Sequence, residues 1–187
     1  MPARLNITFI TGNASKAKHL STYLGIDIAH KKMELDEIQS LNLKDVVTDK
    51  ATRAYAIAQS PVLVEDVSLS FYSLGNLPGP LIKWFVQGLG SDGLCRLLSN
   101  DRRATAKVIF ALYDGKQMHY FSGEREGTIA QEPIGAPRFA WDNIFIPQGA
   151  STVWSQMEEN SFASSSMRAP AMDELRRFLN DNKERYL

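Results

Sequence analysis

Four short segments of this sequence carry side chains whose types and spacing could do chemistry. Thr11-Gly12-Asn13-Ala14-Ser15-Lys16 follows an apolar run and precedes a helical pattern. Backbone N–H groups at the start of a helix attract anions, and Gly12 lets a ligand approach the backbone closely. Lys16 and Lys18 could then meet phosphate oxygens, although the Gly-x-x-x-x-Gly-Lys spacing of a Walker loop is absent. A strand-to-helix turn capped by Asn13 is the plainer reading of the same residues. Glu65-Asp66 comes directly after the apolar run Val62-Leu63-Val64. Ligands of open α/β sheets gather outside the carboxyl ends of strands, where paired acids could hold Mg²⁺ or take a proton from water. A polar turn is the alternative. Another acidic group, Glu34, Asp36 and Glu37, follows the second predicted strand, and its plainer explanation is a solvated face.

Arg138-Phe139-Ala140-Trp141-Asp142 sets two aromatics beside an acid, a pattern able to stack a nucleobase and accept a hydrogen bond from a ring N–H. Aromatics so placed are more often core. Ser166-Met167-Arg168 heads the final helix, and an Arg there is ordinarily a surface charge. His19, His30 and His119 have no metal-ligand spacing and no Ser or Cys partner, so all three are read as structural or exposed.

These segments need a scaffold. At 187 residues the chain reads as a single domain spanning residues 1–187, with 44% hydrophobic and 22% charged residues, values ordinary for a globular protein. Lys and Arg together number 21, as do Asp and Glu, which disfavours a general nucleic-acid binder. The apolar runs, such as residues 108–113, fall far short of the roughly 20 residues that span a bilayer, so no membrane role is expected. Residues 7–10 are too short for a signal h-region, and the one cysteine, Cys95, cannot form an internal disulfide. A cytoplasmic protein is expected.

Residues 6–11 read as a strand, and Ala17, Leu20, Tyr23 and Leu24 as a helix ending at Gly25. A second strand is predicted over 26–33, a second helix over 43–59 and a central strand over 62–64, ending in Glu65 and Asp66. After the Gly75, Pro78, Gly79 and Pro80 loop, helical spacing resumes at Leu81, Trp84, Phe85 and Leu89. A separate short helix capped by Ser91 or Asp92 is predicted to end near Asn100. Strands over 105–113 and 117–122 flank the hairpin signal Asp114-Gly115, with a third over 127–131 and a short one over 144–146. A helix containing Leu175, Phe178 and Leu179 closes the chain. The order βαβαβ, followed by a hairpin, predicts an α/β fold: a mixed, curved central sheet flanked by helices, in two lobes with a cleft between them.

In order and over essentially the whole chain, these segments resemble the inosine triphosphate pyrophosphatase family. The most specific matches are Thr11-Gly12-Asn13 with Lys16, Val64-Glu65-Asp66, Leu77-Pro78-Gly79-Pro80-Leu81-Ile82-Lys83-Trp84-Phe85, and Phe139-Ala140-Trp141-Asp142. The resemblance implies a Mg²⁺-dependent homodimeric enzyme of nucleotide metabolism. It would hydrolyse inosine, deoxyinosine and xanthosine triphosphates to monophosphate and pyrophosphate in the cleft between the lobes. By resemblance Thr11, Asn13, Lys16 and Lys50 bind the triphosphate. Glu37 and Asp66 hold the metal and activate water, and Glu65 matches an acid beside them and joins the metal set. Phe139, Trp141 and Asp142 form the base-binding segment, with Ser166 and Arg168 as part of a Ser-His-Arg motif.

The departures gather at the base end. Ala140 replaces the family's Gly, Asn143 its Pro, Glu159 a Lys, and about two extra residues lie within 161–165. Met167 replaces the His and cannot donate a hydrogen bond. These changes imply weaker preference for a 6-oxopurine or a different base, and a nucleotide-binding protein without turnover is the alternative from another class. Pro170, lacking an N–H, predicts a late start to the final helix.

Overall fold

The protein is described from a computed structural model over residues 5–186. Strand β1 (Thr8–Ile10) stops where Thr11 and Asn13 turn their side chains onto the backbone. Thr11 Oγ1 accepts from Asn13 N–H at 3.1 Å, and Asn13 Oδ1 accepts from Lys16 N–H at 3.1 Å. The second bond satisfies an orphan donor of helix α1 (Ala14–Leu24), so this turn is an N-cap as well as a possible anion site. Strand β2 (Ala29–Lys31) follows, then helix α2 (Leu43–Ala58), which Asn42 caps by accepting from Lys44 N–H. The remaining elements are β3 (Val62–Phe71), β4 (Pro78–Gly79), α3 (Ile82–Arg96), β5 (Arg103–Tyr113), β6 (Met118–Ile129), β7 (Phe145–Pro147), α4 (Glu159–Ser165) and α5 (Arg168–Asp181).

One seven-stranded mixed sheet joins them in the order β2-β1-β3-β5-β6-β7, with β4 beside β3. β1 is parallel to β2 and β3, and every other pairing is antiparallel. Successive side chains of a strand point to opposite faces, which divides the core in two. Phe9, Leu63, Leu69, Phe71, Val108 and Phe110 pack on one side with Ala17 and Leu20 of α1 and Ala171 and Leu175 of α5. Ile10, Val62, Val64 and Ile109 pack on the other with Val47, Ala51 and Ala54 of α2.

The mixed α/β architecture agrees with the sequence reading, and four local expectations need correction. β3 does not end at Glu65 but continues to Phe71, because β5 pairs with it over the whole span from Val62–Tyr113 to Phe71–Ala104. The strands expected over 117–122 and 127–131 are one, β6, whose glycines sit inside the ladder. A Cβ on Gly123 would meet the Met167 carbonyl oxygen at 2.0 Å, so this residue marks a close approach rather than a break. The separate short helix expected in this region is present, since α3 is two helices joined across a non-helical Gly90 (φ 64°, ψ 179°), but the second ends at Arg96 rather than near Asn100 and is not capped by Ser91. Its hydroxyl instead donates to Asn143 Oδ1 at 2.9 Å. Finally, α5 starts at Arg168 with Pro170 in its first turn, where a missing N–H breaks no helical bond. No helix among the described residues is long and apolar enough to cross a membrane.

Candidate active site

The pairing Phe9–Leu63 leaves β3 running on past the carboxyl end of β1. Glu65 and Asp66 therefore lie in the middle of a strand yet beside the place where β1 turns into the Thr11 to Lys16 loop. Their adjacency in sequence separates them in space, since they emerge on opposite faces. Glu65 points toward α1 and α5. Its Oε1 accepts from Lys16 Nζ and Arg168 Nη2, each at 2.8 Å, and its Oε2 from Arg168 Nε at 2.9 Å. Burial disfavours the charged carboxylate, but the two cations outweigh burial and hold the Glu65 carboxyl below its ordinary range. Asp66 points toward α2, whose Val47, Lys50, Ala51 and Ala54 share one face.

Lys50 Nζ is the hub of that side. It donates to Glu37 Oε1 at 3.0 Å, to Asp66 Oδ2 at 3.3 Å and to the Glu65 carbonyl at 3.3 Å. The expected solvated face is thus half true: Glu37 is partly exposed but bonded to Lys50 and Lys83, while Glu34 pairs with Lys32 at the surface. Burial raises the Asp66 carboxyl above its ordinary value, and Lys50 and the Val67 N–H only partly offset it. For Glu37 burial also pushes upward, but Lys50 and Lys83 together bring its carboxyl below the ordinary value. Lys83 reaches Glu37 Oε2 at 3.2 Å from the first turn of α3. It received no role from the sequence, although the resemblance included its segment. The hint was its place just after the Pro78-Gly79-Pro80 turn, which aims α3 back at the acids.

Two cavities flank the acids. A polar one of about 260 Å³ is lined by Thr11, Gly12, Lys16, Glu37, Lys50, Glu65 and Lys83. A mainly apolar one of about 230 Å³ lies against Asp66, Val67, Ile82, Lys83, Ala140 and Trp141. Lysines and loop N–H groups make the first suited to a polyanion.

The acids on the α2 side are the residues that could hold a Mg²⁺, although no cluster of three or more metal-ligating side chains occurs among the described residues. Glu37 and Asp66 offer hard carboxylate oxygens, and one ammonium already touches both, so the charge between them suits a cation. Mg²⁺ is ordinarily held by one or two carboxylates plus phosphates and water. Glu65 is not part of that arrangement, because its carboxylate is engaged by Lys16 and Arg168 on the other face.

The aromatic segment joins the site through Arg168. Its guanidinium carbon lies 5.4 Å from the centre of the Phe139 ring, while its Nη1 makes no hydrogen bond to another described residue. Phe139 is half-buried, whereas Trp141 is 1% exposed and packs against Phe145 and Trp154, so it is first a core residue with one edge on the apolar cavity. Asp142 is fully buried, and its carboxylate accepts from Arg138 N–H at 3.0 and 3.2 Å. That acid shapes the loop from within. Ala140 adopts φ +22°, in the left-handed region that favours glycine. Asn143 is bound on both sides, accepting from Ser91 and donating to the Gly135 carbonyl at 3.2 Å. Ser166 Oγ accepts from Arg168 N–H at 3.2 Å, just ahead of α5.

Met167 is 0% exposed in the core and lines neither cavity. The weaker base discrimination expected from it has no structural support. Met167→His should instead lower stability by about 1 to 3 kcal/mol, because it buries a ring N–H without a partner. Denaturant unfolding checks this, and an unchanged midpoint would place the side chain elsewhere.

Comparison with known proteins covers nearly the whole chain. The inosine triphosphate pyrophosphatase of Yarrowia lipolytica is 36% identical, the alignment covering 96% of this chain and 98% of that protein. That of Schizosaccharomyces pombe is also 36% identical, over 95% and 97%. Among solved structures, a HAM1 protein from Coxiella burnetii superposes with a TM-score of 0.77 at 21% identity, covering 95% of this chain and 99% of that one. A dITP/XTP pyrophosphatase from Mycobacterium abscessus gives 0.73 at 23% identity, covering 90% and 97%. With residues 7–178 matching the Ham1 family as well, and the matched span reaching from the residue before β1 into α5, this chain belongs to that family.

Proposed function

We propose that this protein hydrolyses the triphosphates of inosine, deoxyinosine and xanthosine to the monophosphate and pyrophosphate. The observation that carries the reading is the convergence of Lys16, Lys50, Lys83 and Glu37 on one polar cavity at the end of β1, with Asp66 joined to it through Lys50 and lining the apolar cavity beside it. Relatives named inosine triphosphate pyrophosphatases, matched over nearly their whole length, supply the substrate class. Lys16 and the N–H groups of the Thr11 to Lys16 loop would bind phosphate oxygens, with Asn13 keeping the helix start in place. Mg²⁺ between Glu37 and Asp66 would neutralise charge on the phosphate under attack. Asp66, raised by burial, would take the proton from the attacking water. Phe139, under the Arg168 guanidinium, offers a face for the base, and Arg168 Nη1 a donor that suits a 6-oxo acceptor. A protein that binds without turning over is not favoured, since the acids and lysines are all in place.

Pyrophosphate release with Mg²⁺ across inosine, xanthosine, adenosine, guanosine and pyrimidine triphosphates tests the reading. Preference for the deaminated purines is expected, and no release from any of them would overturn it. Lys16→Ala should weaken triphosphate binding by about 1.5 to 3 kcal/mol and monophosphate binding less, checked by inhibition constants for the two. Equal shifts would remove Lys16 from the tail site. A cytoplasmic homodimer is proposed from family membership, and light scattering at micromolar concentration should give twice the chain mass.

A further inference from the structure

Glu65 is the buried acid that the proposed chemistry leaves without a task. Its side chain is 6% exposed, it stands away from the Glu37 and Asp66 pair, and it is gripped by Lys16 and Arg168 at once. These cations belong to different ends of the site: Lys16 lines the polar cavity, while Arg168 lies over Phe139. Lys16 is the exposed partner at 39% and Arg168 the buried one at 12%, so the lysine is free to swing toward a ligand and the arginine is not. Crucially, both donate to the same oxygen, Oε1.

We propose that Glu65 is a positioning residue that makes the two ends of the nucleotide bind cooperatively. An oxygen shared between two charged donors gives each less than it would give one alone. When Lys16 leaves Oε1 for a phosphate oxygen, the carboxylate charge falls wholly on the Arg168 fork. That fixes the guanidinium over Phe139 and orders the surface on which a base stacks. By linkage the effect is reciprocal: a base that immobilises Arg168 against Glu65 loosens Lys16 for the phosphates. A triphosphate without a well-stacked base, or the reverse, would gain neither benefit, so base selectivity would be felt at the phosphate end.

The inference rests on the functional reading above, and the test separates the two. Inosine and inorganic pyrophosphate stand in for the two halves of the substrate without being joined. Calorimetric titration of the full chain with each alone, and with each in the presence of the other, gives a coupling factor. A factor of about five or more in favour of joint binding is expected for the native protein. Glu65→Gln, which keeps the shape but loses the charge, should reduce the factor to near one while both ligands still bind, and Glu65→Asp should restore part of it. A merely structural role for Glu65 would change both affinities and leave the factor alone. Should Glu65→Gln fail to fold, Lys16→Gln leaves the Arg168 pair intact and should bind inosine alone more tightly than the native protein does, while losing the coupling. Independent binding in the native protein, or full coupling in a folded Glu65→Gln or Lys16→Gln, overturns the proposal. If neither ligand binds, the functional reading falls and this one with it.

Discussion

Asp66→Asn is expected to lower kcat by about 10²- to 10⁴-fold, roughly 3 to 5 kcal/mol in the barrier, while leaving the protein folded. The amide cannot accept a proton from water, and it carries no charge to share with Glu37 in holding Mg²⁺. The fold should survive because Asn keeps the carbonyl-like oxygen. Asp66 Oδ1 accepts from Val67 N–H at 2.8 Å and Oδ2 from Lys50 at 3.3 Å, bonds that an amide oxygen can also accept in part. Stability gives the prediction a second edge. A carboxyl whose folded pKa is raised stabilises the fold below its unfolded pKa, and that stability is lost as pH rises through the folded value. At pH 7 the ionised Asp66 is therefore a net burden, and the amide removes it. The variant should melt at or above the native temperature at neutral pH while releasing almost no pyrophosphate. Native rates in a folded, Mg²⁺-saturated Asp66→Asn would end the assignment of Asp66 as the base. A large fall in melting temperature would instead mark it as structural.

The sequence showed the ingredients of this site more clearly than their geometry. The Asn13 cap, the face of α2 that carries Lys50 and the apolar run of β3 follow from local rules, and all are present. What local rules missed lies in pairing across the sheet. Glu65 and Asp66 look like the end of a strand because polar residues ordinarily end one. Only the partnership with β5 carries β3 on to Phe71, and a hydrophobic pattern does not announce a partner that distant in sequence. Once the strand is known to continue, its period of two separates the acids, Glu65 to the α1 and α5 face and Asp66 to the α2 face. Reading them as one metal pair neglects that alternation. The long β6 hid for a related reason: the predicted strands stop at 122 and resume at 127, yet Gly123 and Gly127 both lie within one ladder, each at a close approach, to Met167 and to Ile146. Lys83 escaped notice because nothing within its own helix distinguishes it from a surface lysine; the turn before α3 brings it to Glu37.

Removal of Arg168 should have the largest effect on stability of any single change in the site. Arg168→Ala leaves the Glu65 carboxylate buried with Lys16 alone, and breaking a buried ion pair from one side destabilises by about 3 to 5 kcal/mol. Lys16 is partly exposed and keeps one hydrogen bond, which places the expected loss near the lower figure, about 3 kcal/mol. The pH dependence identifies the cause. The carboxyl of Glu65 is depressed in the fold, so the stability it contributes is present above its unfolded pKa, about 4.3, and is lost as pH falls toward the lower folded value. In Arg168→Ala that depression is smaller. The gap in unfolding free energy between native and variant should thus be full at pH 7 and narrow below about pH 4, as the unfolded carboxyl takes up its proton. Arg168→Lys tests the fork itself: the charge remains, but a single ammonium cannot hold both Glu65 oxygens in the same plane, so part of the stability should return without the contact over Phe139. Urea unfolding of the three proteins at pH 7 and pH 3 decides the matter. A gap that stays constant with pH would assign the loss to packing around α5 rather than to the ion pair.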